Sequence, residues 1–400
     1  MTNPTLNDIL ASKTAPSNDS TAPLAIPFAY TVPGTLSLPL DAQRLRRAKA
    51  AYTVRSVSAA IERSADEYTV LTGTEVRPNV GDVVLATVVE IGQHKKLESA
   101  VSRRQTLYVG DEVLVAYGNR YAPDQFLAHV PSDLGFVDLV AAGGMAAQVE
   151  ARHAKIDEAT RLAPIGLLCR DGERVNVRDL AVLHEADTAA AAAERINALE
   201  HRPHITVVFG SSMNSGKSTT VANLVRGLSS GGMVVAAGKA TGTGSGNDAN
   251  LFRDAGAQRV LDFTDFGYPS TYLLGFEKTA ALTLSMLAEL CADGPDAIVL
   301  EIADGLFQHE TAQLLELDAL RDIVDSVLFA CGEALSAVAG SSRLLEAKLP
   351  LQAVTGLLTA SPLIAREATA IVDVPVVDTF MLTDPEVARA VLTVGEQAHD

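Results

Sequence analysis

The stretch Ile205-Thr-Val-Val-Phe-Gly210-Ser211-Ser-Met-Asn214-Ser215-Gly216-Lys217-Ser218-Thr219-Thr-Val-Ala-Asn-Leu-Val225 decides how this chain folds. Ile205 to Phe209 is a short apolar run rich in β-branched residues, the pattern of a parallel strand covered on both faces. Gly210 and Gly216 bracket a small polar loop, and Lys217 and Ser218 open an amphipathic helix. The backbone N–H groups of such a loop, with a helix N-terminus behind them, form an anion site. Lys217 is expected to reach the β- and γ-phosphates of a nucleotide, and the Ser218 hydroxyl to hold Mg²⁺. Gly210, Ser211, Asn214, Ser215, Gly216, Lys217, Ser218 and Thr219 are therefore the candidate nucleotide-binding residues. An ordinary glycine-containing βα turn would leave the Lys-Ser-Thr-Thr run at the helix start unexplained.

The general template is G-x-x-x-x-G-K-[ST]; here five residues separate the glycines and Ser211 follows the first of them. This longer spacing resembles the loop of dethiobiotin synthetase and its relatives, G-T-x-x-x-x-G-K-T. They belong to the group of P-loop proteins that includes the MinD/ParA ATPases and cobyrinic acid amide synthases. Downstream, Gly238-Lys239-Ala-Thr-Gly-Thr-Gly-Ser-Gly-Asn-Asp248-Ala resembles that family's Lys-Pro-x-x-[ST]-Gly segment and the Asn-x-Asp-Ala-Leu helix start after it. The resemblance implies that Lys239 is a second cation facing the phosphates and the transferred group. It also implies that Asp248 is a Mg²⁺ ligand. Asp296-Ala-Ile-Val-Leu-Glu301 reads as a strand whose terminal acid is the second metal anchor of a P-loop enzyme. Glu301 matches the glutamate of the family's Val-Val-Glu-Gly-Ala-Gly-Gly; the chain departs from that pattern at Asp304 and lacks the glycine pair. Lys217 and Lys239 are thus the candidate catalytic residues, and Ser218, Asp248 and Glu301 the candidate metal ligands. The likeness spans residues 203–380.

Working outward, strands are expected at Met233–Ala237, Arg259–Phe263, Asp296–Ile302, Ser326–Ala330, Gln352–Leu358 and Pro375–Thr379, alternating with helices. That alternation predicts an α/β fold with a doubly wound parallel sheet over residues 201–400, a P-loop NTPase domain. Ligands of such sheets bind beyond the carboxyl ends of the strands. The polar, aromatic stretch Asp262–Tyr272 is expected near the site; its Asp265-Phe-Gly267 imitates a kinase metal motif without the companions of one. His201 and His204 flank Pro203 and read as a loop, with no acidic or thiol partner for a metal.

Upstream the pattern changes. Residues 1–40, rich in Pro, Ser, Thr and Asn, read as a disordered arm with local docking around Ile26–Tyr30. Residues 41–182 read as a helix capped by Asp41 followed by a small OB- or SH3-like β-barrel, its strands announced by Val80-Gly-Asp and Val109-Gly-Asp turns. The alanine-rich segment 183–200 reads as a helical linker. His94-Lys-Lys96, Arg103-Arg104 and Asn119-Arg-Tyr121 give the barrel charge, but stacking aromatics are sparse. Packing or protein recognition is the better reading than oligonucleotide binding.

The composition, 48% hydrophobic and 20% charged without tryptophan, is that of a water-soluble globular protein. A formal net charge of −17 argues against nucleic acid as a partner. No run approaches the length of a membrane helix, and the three cysteines are too few and too scattered for a disulfide framework. A cytoplasmic location is expected, with no basic-then-apolar start to mark secretion. The absence of an Asn-Lys-x-Asp motif favours ATP over GTP. Together these readings predict a Mg²⁺- and ATP-dependent enzyme that transfers phosphoryl to a small acid or ligates it. The alternative is a nucleotide-driven switch or assembly factor acting on a protein partner. The resemblance also implies a homodimer.

Overall fold

The computed structural model describes residues 31–393. The docking expected at Ile26–Tyr30 lies outside them. Within the expected arm, Leu36–Pro39 is a strand that pairs antiparallel with Tyr68–Thr72, so the ordered N-terminal unit starts earlier than composition suggested. Asp41 caps the first helix, Ala42–Arg47, by accepting from the Arg44 amide at 2.7 Å.

The N-terminal unit is built on strands whose pairings return on themselves. Val83–Glu90 pairs with Glu112–Tyr117, which runs parallel to Met145–Arg152. The latter pairs with Val137–Ala141, that strand with Thr160–Arg170, and Thr160–Arg170 again with Val83–Glu90. Apolar residues fill the interior, among them Val84, Leu85, Leu114, Leu139, Leu162 and Leu167, all essentially without solvent exposure.

The C-terminal unit is a parallel sheet. Its strands are β1 (His204–Gly210), β2 (Val235–Lys239), β3 (Arg259–Asp262), β4 (Ala297–Glu301), β5 (Ser326–Ala330) and β6 (Leu351–Thr355). They lie in the order β3-β2-β4-β1-β5-β6, every pair parallel. Successive side chains of a strand point to opposite faces, and here both faces are apolar. Val207 and Phe209 of β1 and Leu300 of β4 join one core with helices α2 (Phe276–Cys291) and α3 (Ala334–Glu346). Val208 and Val299 join a second core with α1 (Lys217–Ser230). Helices thus cover both faces, and the five crossovers leave the carboxyl ends of β1, β2 and β4 side by side at one edge.

Three local expectations need correction. His204 is not loop: it begins β1, and its Nε2 lies 3.0 Å from Ser326 Oγ. Pro375–Thr379 does not add a strand; its backbone meets β6 at a single bridge, Val354 with Val376, and Thr379 Oγ1 lies 3.0 Å from Thr355 Oγ1. Its chain then turns so that Thr379 Oγ1 can meet the backbone of Gly356. The segment read as a helical linker does form a helix, Ala189–Asn197, but it is more than a connection: Ala192, Ala193 and Ile196 are buried in the same core as α2. A chain beginning at residue 201 is expected to be about 3 kcal/mol less stable than one beginning at residue 183, from the apolar surface this helix covers. Chemical denaturation of the two truncations reads the difference; equal midpoints would remove the helix from the core. Among the described residues no helix is long and apolar enough to cross a membrane.

Candidate functional site

The phosphate loop grows directly out of β1. Ser211 still donates to the Ala330 carbonyl at 3.0 Å as though the strand continued, and the chain then turns back over itself. A Cβ on Gly210 would stand 2.4 Å from Ser215 Oγ and 2.7 Å from Lys217 Cγ and Cδ, so only glycine lets the lysine stem fold across the loop's start. Gly216 caps α1 at φ 99°, a left-handed conformation that favours glycine. Lys217 is 6% exposed and its Nζ donates to the Ser212 carbonyl at 2.7 Å. Burial lowers its ammonium pKa from the ordinary value, with Glu301 opposing and Lys239 adding to the fall. Among the described residues the buried Ser215 hydroxyl has no hydrogen-bond partner.

Lys239 ends β2 opposite Glu301 at the end of β4, the two in register as neighbours across the sheet. Its Nζ lies 3.5 Å from Glu301 Oε1 and also contacts the Asp248 carboxylate from the first turn of helix Gly246–Ala255. Burial alone would discharge Lys239, but Glu301 and then Asp248 reverse this and hold it above its usual range. Asp248, for all its burial, is kept below the carboxylate range by Lys239 and by a hydrogen bond from Ser218. Asp304, at φ 64°, faces the same lysines; burial raises its carboxyl pKa while Lys217 and Lys239 pull it back.

Ser218, Asp248 and Glu301 are thus gathered around Lys239 and the helix start. The fit for Mg²⁺ is carried by Glu301: it is 1% exposed and, among the described residues, its Oε2 has no hydrogen-bond partner. Two carboxylates and a hydroxyl are the hard oxygen donors this cation takes. Among the described residues no three His, Cys, Asp or Glu side chains cluster as a metal cage. Phosphate oxygens would therefore have to complete such a site, as is usual for Mg²⁺ with nucleotides.

The far wall of the site comes from the other domain. A cavity of about 630 Å³ lies between the phosphate loop and the N-terminal strands. Asn214, Gly216, Lys217, Ser218 and Thr219 line it on one side with Lys239, Asp248, Glu301 and Asp304. His94, Arg104, Arg120, Tyr121 and Gln125 line the other. Gly210, Ser211 and Ser215 support the loop from behind and do not line the cavity. The two walls are joined by polar contacts: Asn214 Nδ2 donates to Asp124 at 2.6 Å, and Glu98 accepts from Ser245 Oγ at 2.9 Å and the Gly246 amide at 3.1 Å. A Cβ on Gly143 would stand 1.9 Å from the Gly244 carbonyl, so the backbones themselves touch.

Asp262–Tyr272, expected near the site, does border it, since Thr271 Oγ1 accepts from the amide of cavity-lining Gly242 at 2.9 Å, and it has a second task. Asp262 accepts from Tyr52 Oη at 2.8 Å, and Asp265 pairs with Arg55 at 2.6 Å, so the stretch fastens the two domains together. The wall residues His94, Arg104, Arg120 and Tyr121 stand in the basic runs singled out from the sequence, but nothing local tied those runs to a phosphate loop.

No family model matches the chain, and no curated protein matches it. Solved structures do. The signal recognition particle receptor FtsY from Elizabethkingia anophelis matches at 18% identity over 51% of this chain and 67% of its own, with a TM-score of 0.31. Signal recognition particle 54 kDa protein from Aeropyrum pernix K1, solved with GDP, matches at 18% over 52% of each chain, TM-score 0.34. The kinase domain of the Escherichia coli tyrosine kinase ETK matches at 14% over 45% of this chain and 72% of its own, TM-score 0.30. The chain thus spans from about half to about seven tenths of these structures. Such distant likenesses assign neither ligand nor partner. What decides the fold is the loop at the carboxyl end of central strand β1, with Lys217 opening α1 and Glu301 ending the adjacent strand. The C-terminal half has a P-loop NTPase fold. Within that P-loop NTPase domain the crowd of charges at the edge of β2 and β4 lies where a nucleotide's phosphates bind in open α/β sheets.

Proposed function

We propose that the protein binds a nucleoside triphosphate at the loop Gly210–Ser218 and uses it, with Mg²⁺, to transfer a phosphoryl group to a small acid. The observation that carries this reading is the walled cavity. A phosphate loop facing a second wall of basic and polar side chains would hold an acceptor beside the nucleotide, in position for transfer. Lys217 and Lys239 would neutralise charge on the phosphoryl oxygens, which is most of what catalysis requires here. Ser218, Asp248 and Glu301 would hold Mg²⁺, whose contribution when bound is to bridge and neutralise the phosphates. Asp304 faces the same space; a carboxylate acceptor is already deprotonated near pH 7, so its attack on the phosphoryl group needs no general base. ATP is the proposed nucleotide because the chain lacks an Asn-Lys-x-Asp motif. The ring of strands supports reading the N-terminal unit as the small barrel expected from sequence, with recognition as its role. The likeness to dethiobiotin synthetase is kept for the chemistry alone, since the second domain and Asp304 depart from it.

A nucleotide-driven switch is the second reading. It is favoured by the contacts from Asp124 to Asn214 and from Glu98 to Gly246, which would pass a change at the phosphates to the N-terminal domain. One assay separates the two. Mg²⁺-dependent ATP hydrolysis by the full chain is measured alone, with a panel of small carboxylic acids, and with protein fractions. Strong stimulation by one acid is the expected result. Stimulation by protein alone would replace the enzyme with the switch, and a chain that neither binds nor hydrolyses nucleotide would defeat both.

A further inference from the structure

We propose that Arg120 of the N-terminal domain is the acceptor-binding residue: its guanidinium takes a carboxylate of the acid that faces the phosphate loop across the cavity. This rests on reading the cavity as a phosphotransfer site.

Arg120 opens the short strand Arg120–Tyr121, lines the cavity, and is 5% exposed. A guanidinium carries five N–H donors and no acceptor. Among the described residues its polar neighbours are Gln125, whose Oε1 accepts at 2.9 Å, and His94. The histidine does not satisfy it. His94 Nε2 lies 3.0 Å from the Val140 carbonyl, which can only accept, so that nitrogen carries the proton. It cannot also accept from Arg120 Nη1 at 3.3 Å. Burial, and then Arg120 itself, push His94 down to about 4, so the ring is neutral near pH 7. Among the described residues, the buried Arg120 Nε has no hydrogen-bond partner.

A buried cation without a paired carboxylate is costly, and an unsatisfied guanidinium more so. Burial pushes Arg120 down to about 10, with Asp304 the opposing charge, and Asp304 already faces Lys217 and Lys239. A carboxylate entering the cavity would meet a guanidinium, the cation whose planar donors suit a carboxylate best. A phosphate of the nucleotide offers similar oxygens, but phosphates already have two lysines and the loop amides on the opposite wall. Arg104 and the Gln125 amide beside Arg120 suit a substrate group held away from the phosphates.

The test titrates malonate and succinate, with their diamides as neutral controls, into the full chain saturated with the Mg²⁺ complex of a non-hydrolysable ATP analogue. At least one diacid is expected to bind saturably, and neither diamide. Arg120→Gln should weaken that binding at least about tenfold and Arg120→Lys less, while both leave analogue affinity within about threefold. In case the glutamine variant folds poorly, phenylglyoxal labelling of Arg120 in the unaltered chain, mapped by mass spectrometry, should be slowed by the same diacid. Absence of diacid binding in a chain that binds the analogue overturns the inference, as does unchanged binding in both variants. Loss of analogue affinity in Arg120→Gln would assign the residue to phosphate and overturn it too. A chain that fails to bind the analogue defeats the underlying nucleotide reading, and this inference with it.

Discussion

Lys217→Ala is expected to lower Mg²⁺-ATP affinity about 10- to 100-fold and turnover about 10²- to 10³-fold, while the chain still unfolds cooperatively. The argument is geometric. Lys217 crosses the start of the loop over Gly210, and its ammonium ends against the Ser212 carbonyl at 2.7 Å, inside the cavity wall. Among the described residues it forms no ion pair as close as the one Lys239 makes with Asp248, and so is the better able of the two to turn to a ligand. Its stem contributes some packing, so a small loss of stability accompanies the change. Calorimetric titration with ATP in the presence of Mg²⁺, beside a denaturation curve, checks both parts. Unchanged ATP affinity in a folded variant would sink the nucleotide site.

Asp248→Asn and Glu301→Gln are expected to separate metal from nucleotide. Each keeps shape and removes a negative charge, so Mg²⁺-dependent turnover should fall about 10²- to 10³-fold while ATP affinity measured without metal changes little. The two should nevertheless differ in stability. Glu301 is almost fully buried, and its amide would bring new donors beside Lys239, costing about 1–3 kcal/mol. The Asp248 side chain is 26% exposed, where water relieves the loss. Steady-state kinetics across a Mg²⁺ series, with thermal melts of both variants, gives the comparison. Full activity in both would mean that the carboxylates serve only to neutralise Lys239.

These residues were legible because their chemistry is local or lies at strand ends. The run Ile205–Phe209, the loop and Lys217 are consecutive, and strand periodicity carries Lys239 and Glu301 to the same edge of the sheet. Pro375–Thr379 misled because β-branched composition does not reveal whether a sheet edge has room for another strand. Asp262–Tyr272 was legible only in part: it borders the site through Thr271, but its polar and aromatic residues also form an interdomain seam with Tyr52 and Arg55, which lie far away in sequence. Arg120 was hidden for a different reason. On its own stretch it is one arginine in a turn-rich segment, and only docking of two domains sets it opposite a loop some ninety residues away.

That docking has a consequence for how the protein works at low abundance. Both walls of the cavity are drawn from one polypeptide, fastened by Asp124 to Asn214, Glu98 to Gly246 and Arg55 to Asp265. A wall supplied by a separate molecule has to be recruited, at a cost in translational and rotational freedom and with occupancy that falls on dilution. A tethered wall is present at a high effective concentration whatever the number of molecules in solution. Activity per molecule should then be indifferent to dilution, and the limiting encounter becomes that of the small ligands with a site already assembled.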